Sequence, residues 1–169
     1  MHRIAKFHFV SPAQFMTAMQ EEYPQYTEEQ IKEMYEALKL PKRATKGSAG
    51  YDFFAPFTFK LTPGETIKIP TGIRAEMQED WVLQIYPRSG LGFKYRLQMN
   101  NTVGIIDSDY FFSDNEGHIS PMILTRARQW RSLQEPDLPR EFSCSTVSQR
   151  TMMRKAFATV ASEVLQNNS

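Results

Sequence analysis

The sequence predicts a mainly β domain that carries an α-helical N-terminal extension and an atypical C-terminal tail, divided as residues 1–40, 41–119 and 120–169. Three observations carry this reading. Two helical stretches occupy the first forty residues, and from Gly50 onward short apolar pieces separated by turn residues replace them. Composition then breaks near Ser120: all eight glycines and all seven tyrosines precede it, and none follows. A β-rich domain needs glycine in its turns, and about three or four would be expected in a stretch of that length. Arginine also displaces lysine after the break, six against one.

The first helical stretch runs from Ser11 to about Gln20 and the second from Thr27 to about Leu40. Thr27 and Gln30 have the spacing of a capping box, and Ile31, Met34, Tyr35 and Leu38 give the second helix an apolar face. Strand-like pieces follow at Tyr51 to Ala55, Thr66 to Ile69, Arg74 to Met77 and Trp81 to Tyr86, with a Pro63-Gly64 turn between the first two. Beyond the break, Met153, Phe157, Val160 and Val164 recur at helical spacing and predict a closing amphipathic helix that would seek an apolar partner.

At 169 residues the chain can bury a core without disulfide or metal staples. Its single cysteine, Cys144, cannot pair internally, and no charged start leads into an apolar signal segment, so a reducing cytoplasm is expected. No apolar run approaches the length of a membrane span, which argues against a membrane partner. A net charge of +1 argues against a polymeric nucleic acid. A small charged substrate is compatible with that balance, because an anion site needs only a few placed donors.

Three segments carry chemistry. In Tyr86-Pro87-Arg88-Ser89-Gly90-Leu91-Gly92 a guanidinium, a hydroxyl and glycine-exposed N–H groups follow an apolar strand, which suits a phosphate; an ordinary strand-end turn is the plain alternative. Asn100 to Tyr110 sets Asp107 and Asp109 after another apolar strand. On an extended chain both acids would project to one side, where one could orient a water, unless the pair merely closes a hairpin. Ala49 to Ala55 places Asp52 inside a β-prone aromatic run, where a charge serves as a strand-end crosslink or faces a metal or its waters.

In this order the three segments resemble the motifs of the homotrimeric dUTP pyrophosphatase (dUTPase) family, the first at Ala49–Ala55, the second at Pro87–Gly92 and the third at Asn101–Tyr110. The resemblance extends over about Leu40 to Ile119. It implies a jelly-roll-like, distorted β-barrel that forms a homotrimer with active sites at subunit interfaces. It also implies Mg2+-dependent hydrolysis of dUTP to dUMP and pyrophosphate, which limits uracil in DNA and supplies dUMP. By position, Arg88, Ser89 and Gly90 would contact phosphates and Asn101 would read the uracil edge. Gly104 and Ile106 would lie with them on the substrate, Tyr110 would pack on the deoxyribose, Asp107 would activate water, and Asp52 would lie near magnesium. One position departs from the pattern. Phe112 stands where the family has glycine, and an insertion from Phe111 to Glu116 would displace that glycine to Gly117.

The family's fourth and fifth motifs are missing from Ser120 to Ser169. When the last base of each codon is joined to the first two of the next, Leu138 to Ser143 permits the string AQGIF. Phe157 to Leu165 permits RNGGFGST in the same frame. Both resemble the missing motifs in order, so the tail reads as an out-of-frame remnant of the family's C-terminus; the competing reading is a genuine alternative tail. An out-of-frame tail would leave a sheet edge uncovered. Two other functions compete: dCTP deamination on the same architecture, for which Glu116 would have to serve as the catalytic glutamate, and a nucleotide-binding subunit impaired in turnover.

Overall fold

A computed structural model of the chain describes residues 4–59, 61–126 and 141–149. Strand β1 (Ala5–Phe9) leads to helix α1 (Pro12–Glu22) and helix α2 (Glu28–Glu36). Next come β2 (Tyr51–Phe54), β3 (Thr66–Lys68), β4 (Ile73–Met77) and β5 (Trp81–Pro87). A short helix, α3 (Ser89–Tyr95), precedes β6 (Leu97–Met99) and β7 (Gly104–Ile106). A 3-10 turn (Ser108–Phe112) separates these from β8 (Met122–Thr125) and β9 (Glu141–Gln149).

Both N-terminal helices begin at side-chain caps. Ser11 Oγ accepts the Gln14 N–H at 3.1 Å and Pro12 supplies a pre-set φ at the first helical position. In α2 the expected capping box is complete: Thr27 Oγ1 accepts the Gln30 N–H and Gln30 Oε1 accepts the Thr27 N–H. The helix ends at Glu36, short of the expected Leu40. Its predicted apolar face packs as read, with Ile31 fully buried and Met34, Tyr35 and Leu38 half-buried around Val10, Phe15 and Met19.

Among the described residues the strand pairs are antiparallel. They form a pair β1-β4, a four-stranded sheet ordered β2-β9-β5-β7 and a three-stranded sheet ordered β3-β8-β6. The main core is built from inward residues such as Phe53, Ile69, Leu83, Ile85, Leu97 and Ile123. At roughly 1.5–3 kcal/mol for each large side chain taken from water, this core and the cluster around α2 supply most of the drive to fold. The architecture is mainly β with a helical N-terminal extension, as the sequence predicts.

Four differences from the sequence reading stand out. β1 has no clear signal in the sequence, because Ala5–Phe9 alternates only loosely; its pairing with β4 from Ala5↔Met77 to Phe9↔Ile73 holds it. The segment after Pro87, expected as a turn, is the first turn of α3. β8 and β9 lie beyond residue 119 and belong to the sheets. The expected open edge is filled, since β9 sits between β2 and β5, with Ser145 opposite both Tyr51 and Ile85. Backbone pairing needs no apolar alternation, and Glu141–Gln149 contains no proline or glycine to interrupt it. The predicted helix at Met153–Val164 lies outside the described residues.

Candidate active site

β5 buries Val82, Leu83 and Ile85 and delivers Arg88 to the position just before α3. There Arg88 Nε stands 3.7 Å from Oδ1 of Asp52, which is 7% exposed. A buried carboxylate is costly unless a cation compensates it, so this contact explains an acid within the aromatic strand β2. Ser89 and Gly90 are exposed at the start of α3. The first N–H groups of a helix lack intrahelical acceptors and attract anions. A Cβ added to Gly90 would meet nothing within 4 Å, so nothing among the described residues requires glycine there. Its bare backbone faces outward instead.

A second set of site residues surrounds a cavity of about 320 Å³, a size that suits a small ligand. Asn101, Gly104, Ile106 and Tyr110 line it together with Met99 and Ser120. Gly104 is opposite Ile85 in the β5-β7 pair, and a Cβ on it would stand 3.2 Å from Ile85 Cβ, so strand packing also favours a small residue here. The Tyr110 hydroxyl donates to the His118 carbonyl at 3.1 Å and accepts from Asn115 Nδ2 at 2.8 Å, which fixes the far end of the ring.

Asp107 is half-buried at the N-cap of the 3-10 turn and is not among the cavity's walls. Asp107 and Asp109 do not share a strand face as expected. The chain leaves the extended path at Ser108, and the Tyr110 N–H bonds the Asp107 carbonyl at 3.2 Å, so the period-two alternation ends there. The strand register also separates the site residues. Leu83 is opposite Ile106, so Asp107 comes level with Val82, six residues along β5 from Arg88. At the strand rise that is roughly 20 Å, too far for both groups of one chain to reach a single phosphorus atom.

Glu116, the one acid available to the deaminase reading, is engaged elsewhere. Its carboxylate accepts the Ser11 N–H at 2.7 Å and the Ser11 hydroxyl at 2.6 Å. The Ser11 hydroxyl bond is the main reason that its pKa lies below the usual carboxylate range. His118 escaped the sequence reading, having no motif around it. Its ring is buried at 2% exposure, Nε2 accepts the Gly72 N–H at 2.8 Å, and desolvation holds its pKa down to about 4.

The family model for dUTPase matches residues 36–126, more than half of the chain. The chain belongs to the dUTPase family. Over 83 residues it is 48% identical to the deoxyuridine 5'-triphosphate nucleotidohydrolase of Lactococcus lactis subsp. lactis (strain IL1403), covering 48% of this chain and 55% of that protein. Over 74 residues it is 50% identical to the corresponding protein of Methylobacillus flagellatus, covering 42% and 49%. The chain thus spans about half the length of these relatives. The solved dUTPase of Streptococcus mutans superposes with a TM-score of 0.58 at 28% identity, over 85% of this chain and 94% of that one. A point mutant of the dUTPase of phage phi11 of S. aureus superposes with a TM-score of 0.58 at 18% identity, over 87% of this chain and 91% of that one, and shares the fold. All three motif segments read from the sequence lie within the dUTPase match.

Proposed function

We propose that the chain hydrolyses dUTP to dUMP and pyrophosphate at a site shared between copies of itself. The observation that carries this is the spread of the motif residues along β5: Asp52 with Arg88, Ser89 and Gly90 at one end, Asp107 level with the other, and the cavity that Tyr110 lines beside Ile85 between them. A homotrimer that brings one copy's Arg88 end to another copy's Asp107 end would complete the constellation. Asn101 then reads the uracil edge, and Tyr110 packs on the deoxyribose with Gly104 and Ile106 beneath. Arg88, Ser89 and the Gly90 N–H hold the phosphates. Asp107 accepts the proton of a water that attacks the α-phosphorus in line; the new O–P bond forms as the bond to the bridging oxygen breaks, and pyrophosphate leaves.

A structural Mg(II) ion is coordinated in the phage phi11 relative. Among the described residues here no group of three or more His, Cys, Asp or Glu gathers into a metal site. Magnesium bound to a nucleotide takes one or two carboxylates and completes its shell with phosphate oxygens and water, and the buried Asp52 fits that requirement. Bound there, the ion would neutralise charge on the triphosphate. The site as a whole works by positioning and charge neutralisation, which phosphoanhydride cleavage mostly needs.

We also infer that the tail assigned to residues 120–169 is, beyond the end of the family match, the family's C-terminus read out of frame. In support, the family match ends at residue 126, and the codon-shifted strings lie beyond it. Cytoplasmic location fits a nucleotide substrate, and no helix among the described residues is long and apolar enough to cross a membrane. The test of the activity is pyrophosphate release from dUTP with dCTP as control. Release from dUTP alone is expected, whereas conversion of dCTP to a uracil nucleotide without pyrophosphate would establish the deaminase instead.

A further inference from the structure

We propose that the loop Ser113–Gly117 is a specificity brace, in which Asn115 positions the Tyr110 ring and Glu116 fastens the brace to the helical extension. The proposal rests on the reading of Tyr110 as the sugar-packing residue. That ring projects from the 3-10 turn, and such a short turn fixes the backbone but leaves a side chain free to rotate. Here the loop closes over it. Asn115 Nδ2 donates to the Tyr110 hydroxyl at 2.8 Å, and Asn115 Oδ1 and Ser113 Oγ both accept the Gly117 N–H at 3.1 Å. Ser113 Oγ is 2.7 Å from the Tyr110 carbonyl and 2.7 Å from Asn115 Oδ1, so the amide is oriented before it reaches the ring.

The loop is held at both ends. At Phe111, Arg74 Nη2 donates to the carbonyl while the guanidinium lies 3.7 Å from the ring centroid. At the other end Glu116 adopts φ 58, a left-handed conformation that is strained for a residue with a side chain. That strain is offset by the two Ser11 bonds, and an anion is also favoured at the N-terminus of α1. Gly117 follows at φ 68, where a Cβ would stand 2.7 Å from both Phe111 Cα and the Tyr110 carbonyl oxygen. The chain therefore doubles back onto Tyr110 as closely as backbone allows. Exclusion of a 2′-hydroxyl depends on a wall that does not yield, and these contacts stiffen the wall from behind while touching no substrate.

Asn115 and Glu116 are positioning residues, so their effect should appear in sugar discrimination. The full chain would be titrated with the α,β-imido analogue of dUTP and with its ribose counterpart. Asn115→Ala and Glu116→Gly, the latter tolerated at that φ, should each lower the ratio of the two affinities by about fivefold, the factor that one neutral hydrogen bond contributes. Tyr110→Phe, which keeps the ring but removes its bonds to both Asn115 and the His118 carbonyl, should lower it at least as far. Asn115→Ala added to Tyr110→Phe should lower the ratio by clearly less than the two effects combined, because the bond between the two side chains is already absent from Tyr110→Phe. An unchanged ratio in Asn115→Ala or Glu116→Gly, or full additivity in the double variant, overturns the brace. A parent chain that binds both nucleotides equally overturns the reading of Tyr110 itself, and the brace with it.

Discussion

Asp107 and Tyr110 stand three residues apart yet face different surroundings, because the chain changes from strand to 3-10 turn between them. With the reading frame of the tail restored, Asp107→Asn should lower turnover by about two to four orders of magnitude and leave nucleotide binding nearly intact, since it removes a proton acceptor and no binding contact. Steady-state kinetics with a binding titration would check it; an unchanged rate counts against the assignment. Tyr110→Ala should narrow the gap between dUTP and UTP by weakening dUTP, and an undiminished preference would contradict it. The motif that carries both residues could be read in the sequence because it is local. Asn115 and His118 could not: the first acts by a bond to Tyr110, and the second by a bond across 46 residues to Gly72, which no local pattern signals.

At the level of elements, His118 makes the junction of β4 and the motif loop sensitive to acid. Its ring must stay neutral to accept the Gly72 N–H, and burial, with Lys68 adding and Glu116 opposing, depresses its pKa from 6.5 to about 4. The unfolded chain takes up this proton first as pH falls. The stabilisation is therefore complete above about pH 6.5, is lost progressively toward pH 4, and amounts to on the order of 3 kcal/mol. Urea unfolding at a series of pH values should show this slope, and His118→Gln, which keeps a neutral acceptor, should flatten it. Elements whose signals are side-chain patterns were legible, as in the capping box of α2 and its apolar face. The start of α3 was not, because Gly90 and Gly92 weigh against helix on local propensity. Nor was β9, because Ser143, Ser145 and Ser148 interrupt any apolar alternation, and its neighbours β2 and β5 supply what its sequence does not advertise.

For the whole molecule, the sequence conveyed the motifs but not their separation, which emerges only from the β5-β7 register. That separation is the ground for proposing that each site is shared between copies. Residues 120–169 offer no glycine for close approach to phosphate, so the unaltered chain should hydrolyse dUTP at least about a hundredfold more slowly than its frame-restored form, equivalent to roughly 2.7 kcal/mol of barrier. Pyrophosphate release and sedimentation of the two purified forms would check this, and a soluble trimer with equal turnover from the unaltered chain would show the tail to be a working replacement. The central claim is that Asp107 and Arg88 of different copies act on one dUTP. It is tested most directly by mixing two inactive variants of the frame-restored protein, Asp107→Asn and Arg88→Ala, through denaturation and joint refolding, and then measuring pyrophosphate release. A site shared between copies predicts recovery of about a quarter of the parent rate at equal mixing, from random assortment of the two chains; no recovery in refolded mixed oligomers would contradict it.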